Sequence, residues 1–136
     1  MQRRTFLTSV AAITLAGPAI AASGMTYQPG LVQQELDAGK TVFVDFYTDW
    51  CTTCRRQDRV IKSLLAANPA YEENISFVAV DWDIHSKSDL SVSLNIPRRS
   101  TLVVLRGDDE LGRIVAGTKE TDIKALLDKA LASASA

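Results

Sequence analysis

Thr41-Val42-Phe43-Val44-Asp45-Phe46-Tyr47-Thr48-Asp49-Trp50-Cys51-Thr52-Thr53-Cys54 decides the fold: an apolar run that reads as a buried strand leads directly into two cysteines, and a helical pattern begins there. The chain of 136 residues has only these 2 cysteines, so both stand at one strand-to-helix junction. Their i, i+3 spacing allows a small disulfide. A helix N-terminus offers the leading cysteine unpaired N–H groups and a partial positive charge, and both favour the thiolate. Cys51 is therefore expected to be a nucleophile and Cys54 the thiol that resolves it, which points to thiol–disulfide chemistry.

Downstream, residues 51–67 form the clearest predicted helix. Val60, Ile61, Leu64 and Leu65 recur at helical spacing as its buried stripe, Arg55, Arg56, Arg59 and Lys62 supply polar positions, and Asn68-Pro69 ends it. Residues 75–81 alternate and are β-branched enough for a second strand. A weaker helix is predicted over residues 88–94. Thr101-Leu102-Val103-Val104-Leu105 is a strongly apolar strand, and Gly107-Asp108-Asp109 turns it into Leu111-Gly112-Arg113-Ile114-Val115 as a hairpin. A closing helix is predicted over residues 120–131, with Ile123, Leu126, Leu127 and Leu131 on one side, followed by an Ala/Ser tail, residues 132–136, that is expected to fray. Upstream, residues 29–39 read as a short helix closed by Gly39. The order β-α-β-α-β-β-α with an extra N-terminal helix predicts an α/β fold with a central mixed β-sheet of four to five strands and helices on both faces. The cysteines then lie at the C-terminal end of a strand, where open α/β sheets place their sites.

The chain begins differently. Arg3-Arg4-Thr5-Phe6-Leu7 leads into a mostly apolar stretch with Gly17 and Pro18 near its end, closing on Ala19-Ile20-Ala21-Ala22. Basic residues, a short apolar segment and an A-x-A site read as a cleavable export signal over residues 1–22, cut after Ala21 or nearby. The stretch is short for a span, so no stable membrane insertion is expected after cleavage. The arginine pair followed by Phe6-Leu7 resembles a twin-arginine export motif, although ordinary export signals also carry such pairs. A periplasmic or otherwise exported location is expected for one domain, residues 23–136, acting as a monomer. Setting Arg3 and Arg4 aside leaves 13 basic against 16 acidic residues, a net charge of −3. Nucleic acid is not a partner such a charge would attract.

The segment Val44-Asp45-Phe46-Tyr47-Thr48-Asp49-Trp50-Cys51-Thr52-Thr53-Cys54-Arg55 resembles the active-site segment of thioredoxin-fold proteins. The later hairpin, Gly117 and the terminal helix are similar to the same family, so the resemblance covers nearly everything after the leader. It implies a thioredoxin-like fold and a thiol–disulfide oxidoreductase without a cofactor, its redox group being the Cys51–Cys54 disulfide. Asp45 corresponds to the buried acid beneath that disulfide, and Trp50 to the aromatic that shields the cysteines and contacts partners. The Thr-Thr interior and the Asp49-Trp50 lead-in look closer to exported domains that take electrons from a membrane reductase than to cytosolic thioredoxin. Partners are then protein disulfides or thiols, with a membrane electron donor, and the reducing direction is preferred on resemblance alone.

Two departures bear on the site. Family members place a cis-proline just before the third core strand; here Ser100 takes that position, and Pro97 comes three residues too early. A non-proline cis bond costs about 2.5–4 kcal/mol, which leaves the geometry of the Arg99-Ser100 peptide open. Ser100 is a candidate donor to the Cys51 thiolate and, with Trp50 and Arg99, a candidate substrate-binding residue. The second departure is that the strand residue facing the buried acid, often lysine in thioredoxins, falls at Ala79 or its neighbour. Arg55 and Arg56, with Arg98 and Arg99 if their loop approaches, would favour the thiolate and attract acidic partner rims. Burial would raise the Asp45 carboxyl toward working pH and let it exchange a proton with Cys54.

Each residue also has a plainer reading. The cysteines as a structural bridge are disfavoured, because so small a loop restricts the unfolded chain little. Asp45 as an edge-strand residue conflicts with its place inside an apolar strand. Trp50 as core and the arginines as a solvated helix face are the corresponding alternatives. His85 is expected in an exposed loop with no catalytic part. The alternative function is a metal-binding module or metallochaperone using Cys51 and Cys54 for a soft ion such as Cu(I) or Zn(II). The proline that helps keep metals off the family's dithiol is missing, yet two thiolates are only half a site.

Overall fold

The strand that leads into the cysteines is the middle of the sheet. In the computed structural model, which describes residues 24–136, β2 (Thr41–Tyr47) pairs in parallel with β3 (Ile75–Asp81) and antiparallel with β4 (Thr101–Arg106). The expected leader and its cleavage site lie outside the described residues. β1 (Met25–Thr26) flanks β3 in parallel and β5 (Asp109–Val115) flanks β4 antiparallel, giving a five-stranded mixed sheet in the order β1-β3-β2-β4-β5. Among the described residues six helices complete it: α1 (Leu31–Asp37), α2 (Thr52–Ala67), α3 (Ala70–Asn74), α4 (Trp82–His85), α5 (Asp89–Ser93) and α6 (Glu120–Ala134).

A strand with neighbours on both sides and helices on both faces has no wet face, so β2 reads as a continuous apolar run rather than an alternation. Its side chains still point alternately to the two layers. Phe43 packs with Ile61, Leu64 and Leu65 of α2, Tyr71 of α3 and Ile123, Leu126 and Leu127 of α6. Val42, Val44 and Phe46 face the other layer, with Tyr27, Val32, Val80, Val103 and Ile96. Asp45 shares parity with Phe43. The period of two therefore aims the single acidic residue of β2 at the layer that holds α2 and its cysteines.

The α/β class, the mixed sheet and the helices on both faces agree with the sequence reading, as do the hairpin and the end of α1 at Gly39, whose φ of +79° suits glycine. The differences have local causes. β1 is 2 residues long, too short for any periodic signal. α2 ends at Asn68-Pro69 as expected, but a further short helix, α3, starts directly after it, with Pro69 fitted to the helix start and Asn68 Oδ1 accepting from Ala70 N at 3.3 Å. His85 is not in an exposed loop: it ends α4 half-buried, its ring edge-on to Tyr27 with centroids 4.9 Å apart. The tail does not fray at residue 132, since α6 runs to Ala134. Alanine favours helix, and Arg106 Nη1 fastens the last turn by donating to Ser133 O at 2.5 Å. Finally, Val60 is only half-buried, while Gln57 is fully buried in the α2 stripe.

Candidate active site

Cys51 is the N-cap of α2. Its backbone is extended (φ −82°, ψ 113°), and its Sγ takes the place of a capping oxygen by accepting from Cys54 N at 3.2 Å. Both cysteines are thiols and both are buried, at 4% and 5% exposure. Beside them, Arg99 favours the Cys51 thiolate and lays its guanidinium 4.2 Å from the centroid of the Trp50 ring. Trp50 itself is 56% exposed and fixed by donation from Nε1 to Asp83 Oδ2 at 2.9 Å.

The two sulfurs differ in acidity through their partners. Burial pushes the Cys51 thiol up, but hydrogen bonds from Cys54, Ser100 and Arg99 outweigh it and bring it down to about 7. Each of these donors supports the charged form. Cys54, one turn deeper, is raised, by burial above all and then by its bond to Cys51. One sulfur is held ready as a thiolate near neutral pH while the other keeps its proton, as a nucleophile and a resolving thiol require.

Asp45 lies behind Cys54. A cavity of about 170 Å³, lined among others by Asp45, Thr48, Cys54, Arg55 and Asp58, joins its carboxyl to that thiol. Burial raises the Asp45 carboxyl to about 7, and the nearby charges of Asp58 and Cys51 add to the effect. The register places Ala79 opposite Asp45 on β3, so the position where a thioredoxin often has lysine offers no cation. A second carboxylate approaches instead: Asp58, which is paired with Lys62 at 2.8 Å.

Ser100 is fully buried at the start of β4, and no peptide bond among the described residues is cis. The chain passes the cysteines with Ser100 in the left-handed region, φ +62°. For a non-glycine residue this costs about 1–2 kcal/mol, and three backbone bonds hold it: Ser100 N donates to Phe46 O at 2.7 Å, while Ser100 O accepts from Ala116 N at 2.8 Å and Gln57 Nε2 at 3.0 Å. Its hydroxyl lies 3.1 Å from Cys51 Sγ and 3.0 Å from Cys54 Sγ.

The structure therefore brings Cys51, Cys54, Ser100, Arg99 and Trp50 together, with Asp45 beneath. The other arginines make their hydrogen bonds elsewhere, although Arg55 lines the cavity between Asp45 and Cys54. Arg55 donates twice to Asp49 O, at 3.1 and 2.7 Å, Arg98 turns to the carbonyl of Arg99, and Arg56 is exposed on α2. Sequence reasoning missed Gln57, whose buried amide joins two loops by donating to Ser100 O and to Gly117 O at 2.9 Å. Its signal was the spacing Cys54, Gln57, Ile61, a polar residue on the buried face. Asp58 was missed as well, though it follows Cys54 at i+4 and so shares its side of the helix. Among the described residues no group of three His, Cys, Asp or Glu side chains is arranged to hold a metal ion.

A family model described as Thioredoxin matches residues 26–129. Mitochondrial thioredoxin-2 of Schizosaccharomyces pombe is 33% identical over 94 residues, 69% of this chain and 65% of its own length; this chain thus spans just under two thirds of that relative. Thioredoxin 1 of a Nostoc species is 27% identical over 99 residues, 73% of this chain and 88% of its own. Among solved structures, Trxlp of Edwardsiella tarda superposes with a TM-score of 0.65 at 30% identity, over 76% of this chain and 98% of the other.

Proposed function

The chain belongs to the thioredoxin family, and from that premise we propose that it is a thiol–disulfide oxidoreductase that reduces disulfides of partner proteins through Cys51 and Cys54. The observation that carries this reading is the asymmetry of the two thiols: Cys51 caps α2 with its acidity raised, and the protonated Cys54 lies one turn behind it beside Asp45. The Cys51 thiolate attacks one sulfur of the partner disulfide, the partner's S–S bond breaks, and its other sulfur leaves. Cys54 then loses its proton to the Asp45 carboxylate and attacks Cys51 Sγ, releasing the partner's remaining sulfur. The pair ends as a disulfide and the partner as a dithiol, two electrons having passed.

The reducing direction draws support from the acidity of Cys51. A value of about 7 matches a thioredoxin, about 7, rather than strongly oxidising dithiol proteins, about 3.5, whose reduced form is over-stabilised. Export rests on the Arg3-Arg4 leader and the A-x-A site alone. In an oxidising compartment the pair needs a membrane electron donor to be reset. Half-exposed Trp50, stacked under Arg99, is the surface a partner meets first.

The test is the reduction potential of the purified chain, by equilibration with defined thiol–disulfide buffers, together with trapping by the Cys54→Ser variant. A value near that of thioredoxin, about −270 mV, is expected, and one near −120 mV overturns the reductase assignment. Cys54→Ser should accumulate mixed disulfides through Cys51. Metal carriage predicts lost metal and no trapping.

A further inference from the structure

Ser100 Oγ is nearly equidistant from two sulfurs that act in succession, 3.1 Å from Cys51 Sγ and 3.0 Å from Cys54 Sγ. Its backbone is held by bonds to Phe46, Ala116 and Gln57, so the hydroxyl hydrogen is the part left free to turn. A serine hydroxyl has one hydrogen to donate and two lone pairs. At this position it is within donating distance of either sulfur. A proline there, as the family resemblance leads one to expect, has no hydroxyl to offer.

We propose that Ser100 is a catalytic residue of both half-reactions, its hydroxyl donating to Cys51 while that sulfur is the nucleophile and turning to Cys54 once Cys51 is bonded to the partner. The inference rests on the exchange reading above. In the dithiol, the Ser100 O–H donates to the Cys51 thiolate, which the Cys54 S–H also supports. Formation of the mixed disulfide removes the charge from Cys51 and with it most of that sulfur's strength as an acceptor. The Cys54 proton passes to the Asp45 carboxylate, and the Ser100 O–H turns to the new Cys54 thiolate. Cys54 then attacks Cys51 Sγ; the bond from Cys51 to the partner breaks, and the departing thiolate takes its proton from water. Burial pushes both thiols up, and at each of them the hydrogen bond to Ser100 acts in the opposite direction.

The experiment isolates the second half-reaction. Reduced chain is capped at Cys51 with methyl methanethiosulfonate, and release of methanethiol is followed as a function of pH while Cys54 closes the disulfide. Wild type is compared with Ser100→Ala and Ser100→Gly, each checked by circular dichroism; glycine accepts the +62° torsion without strain. In both variants the pH midpoint of closure is expected to rise, and closure at neutral pH to slow by about tenfold or more, as loss of a hydrogen bond to a charged sulfur implies. Capping of Cys51 should slow as well. Closure with unchanged midpoint and rate overturns the inference, and so does a defect confined to capping, which would make Ser100 a donor to Cys51 alone. A wild-type chain that is capped at Cys51 but never closes would instead overturn the exchange reading itself.

Discussion

Replacing Asp45 with asparagine should stabilise the protein, by an amount set by pH. The carboxyl is buried in the central strand and titrates near 7, against an ordinary value of 3.8. Below pH 3.8 the folded and unfolded chains both carry the proton, and the aspartate has no titration penalty. Between 3.8 and about 7 the unfolded chain is ionised while the folded one holds its proton, so stability falls as pH rises. Above about 7 both forms are ionised and the penalty is complete. A gap of about three pH units at about 1.36 kcal/mol each gives roughly 4 kcal/mol. Asparagine keeps the shape and cannot ionise. The advantage of Asp45→Asn should therefore be near zero in acid, grow through the interval, and level off at about 4 kcal/mol in mild alkali, which is upwards of about 1 M in urea midpoint. Urea unfolding of both proteins, kept reduced, at points below, within and above the interval measures it. A difference independent of pH would refute the reasoning, since it would mean that Asp45 ionises equally in the folded and unfolded chains.

Three further outcomes follow from the site. Iodoacetamide should alkylate Cys51 with a pH midpoint near 7 and spare Cys54 until higher pH, as read by peptide mass spectrometry; equal labelling of the two would contradict the asymmetry. Gln57→Leu removes two donations to loop carbonyls from a fully buried side chain, and should lower stability by about 1–3 kcal/mol in urea unfolding. Arg99→Ala deletes a donor to Cys51 and the stack on Trp50, so the midpoint of Cys51 alkylation should move upward, while stability changes by no more than about 1 kcal/mol.

What the sequence disclosed follows from where its signals are local. The passage from β2 into Cys51 was legible because burial on both faces makes the strand uniformly apolar and the cap of α2 is itself a cysteine. Asp45 was legible because an acid inside such a strand needs a reason. β1 was not, since it has only the register of β3 to define it. α3 was hidden by reading Asn68-Pro69 as an end, when proline is equally suited to begin a helix. Ser100 was located by alignment with the family's proline, but its left-handed torsion and its contact with both sulfurs depend on Phe46, Gln57 and Ala116, which are remote in sequence. The arginines show the converse. Arg55 and Arg56 stand beside the motif in the chain, yet it is Arg99, from a remote loop, that acts on the Cys51 thiolate.

The placement of the cysteines just past the end of β2, at the start of α2, has a consequence for how the protein breathes. Opening of a native structure begins where few neighbours hold the backbone, here at the two-residue β1 and the five-residue α5, and reaches the middle of a sheet last. The first turn of α2, which carries the sulfurs, follows directly on the strand that is paired along both edges. Amide hydrogens of Val42 to Phe46 should accordingly be among the slowest to exchange with deuterium, and the reactive pair keeps its arrangement through the fraying that the periphery undergoes.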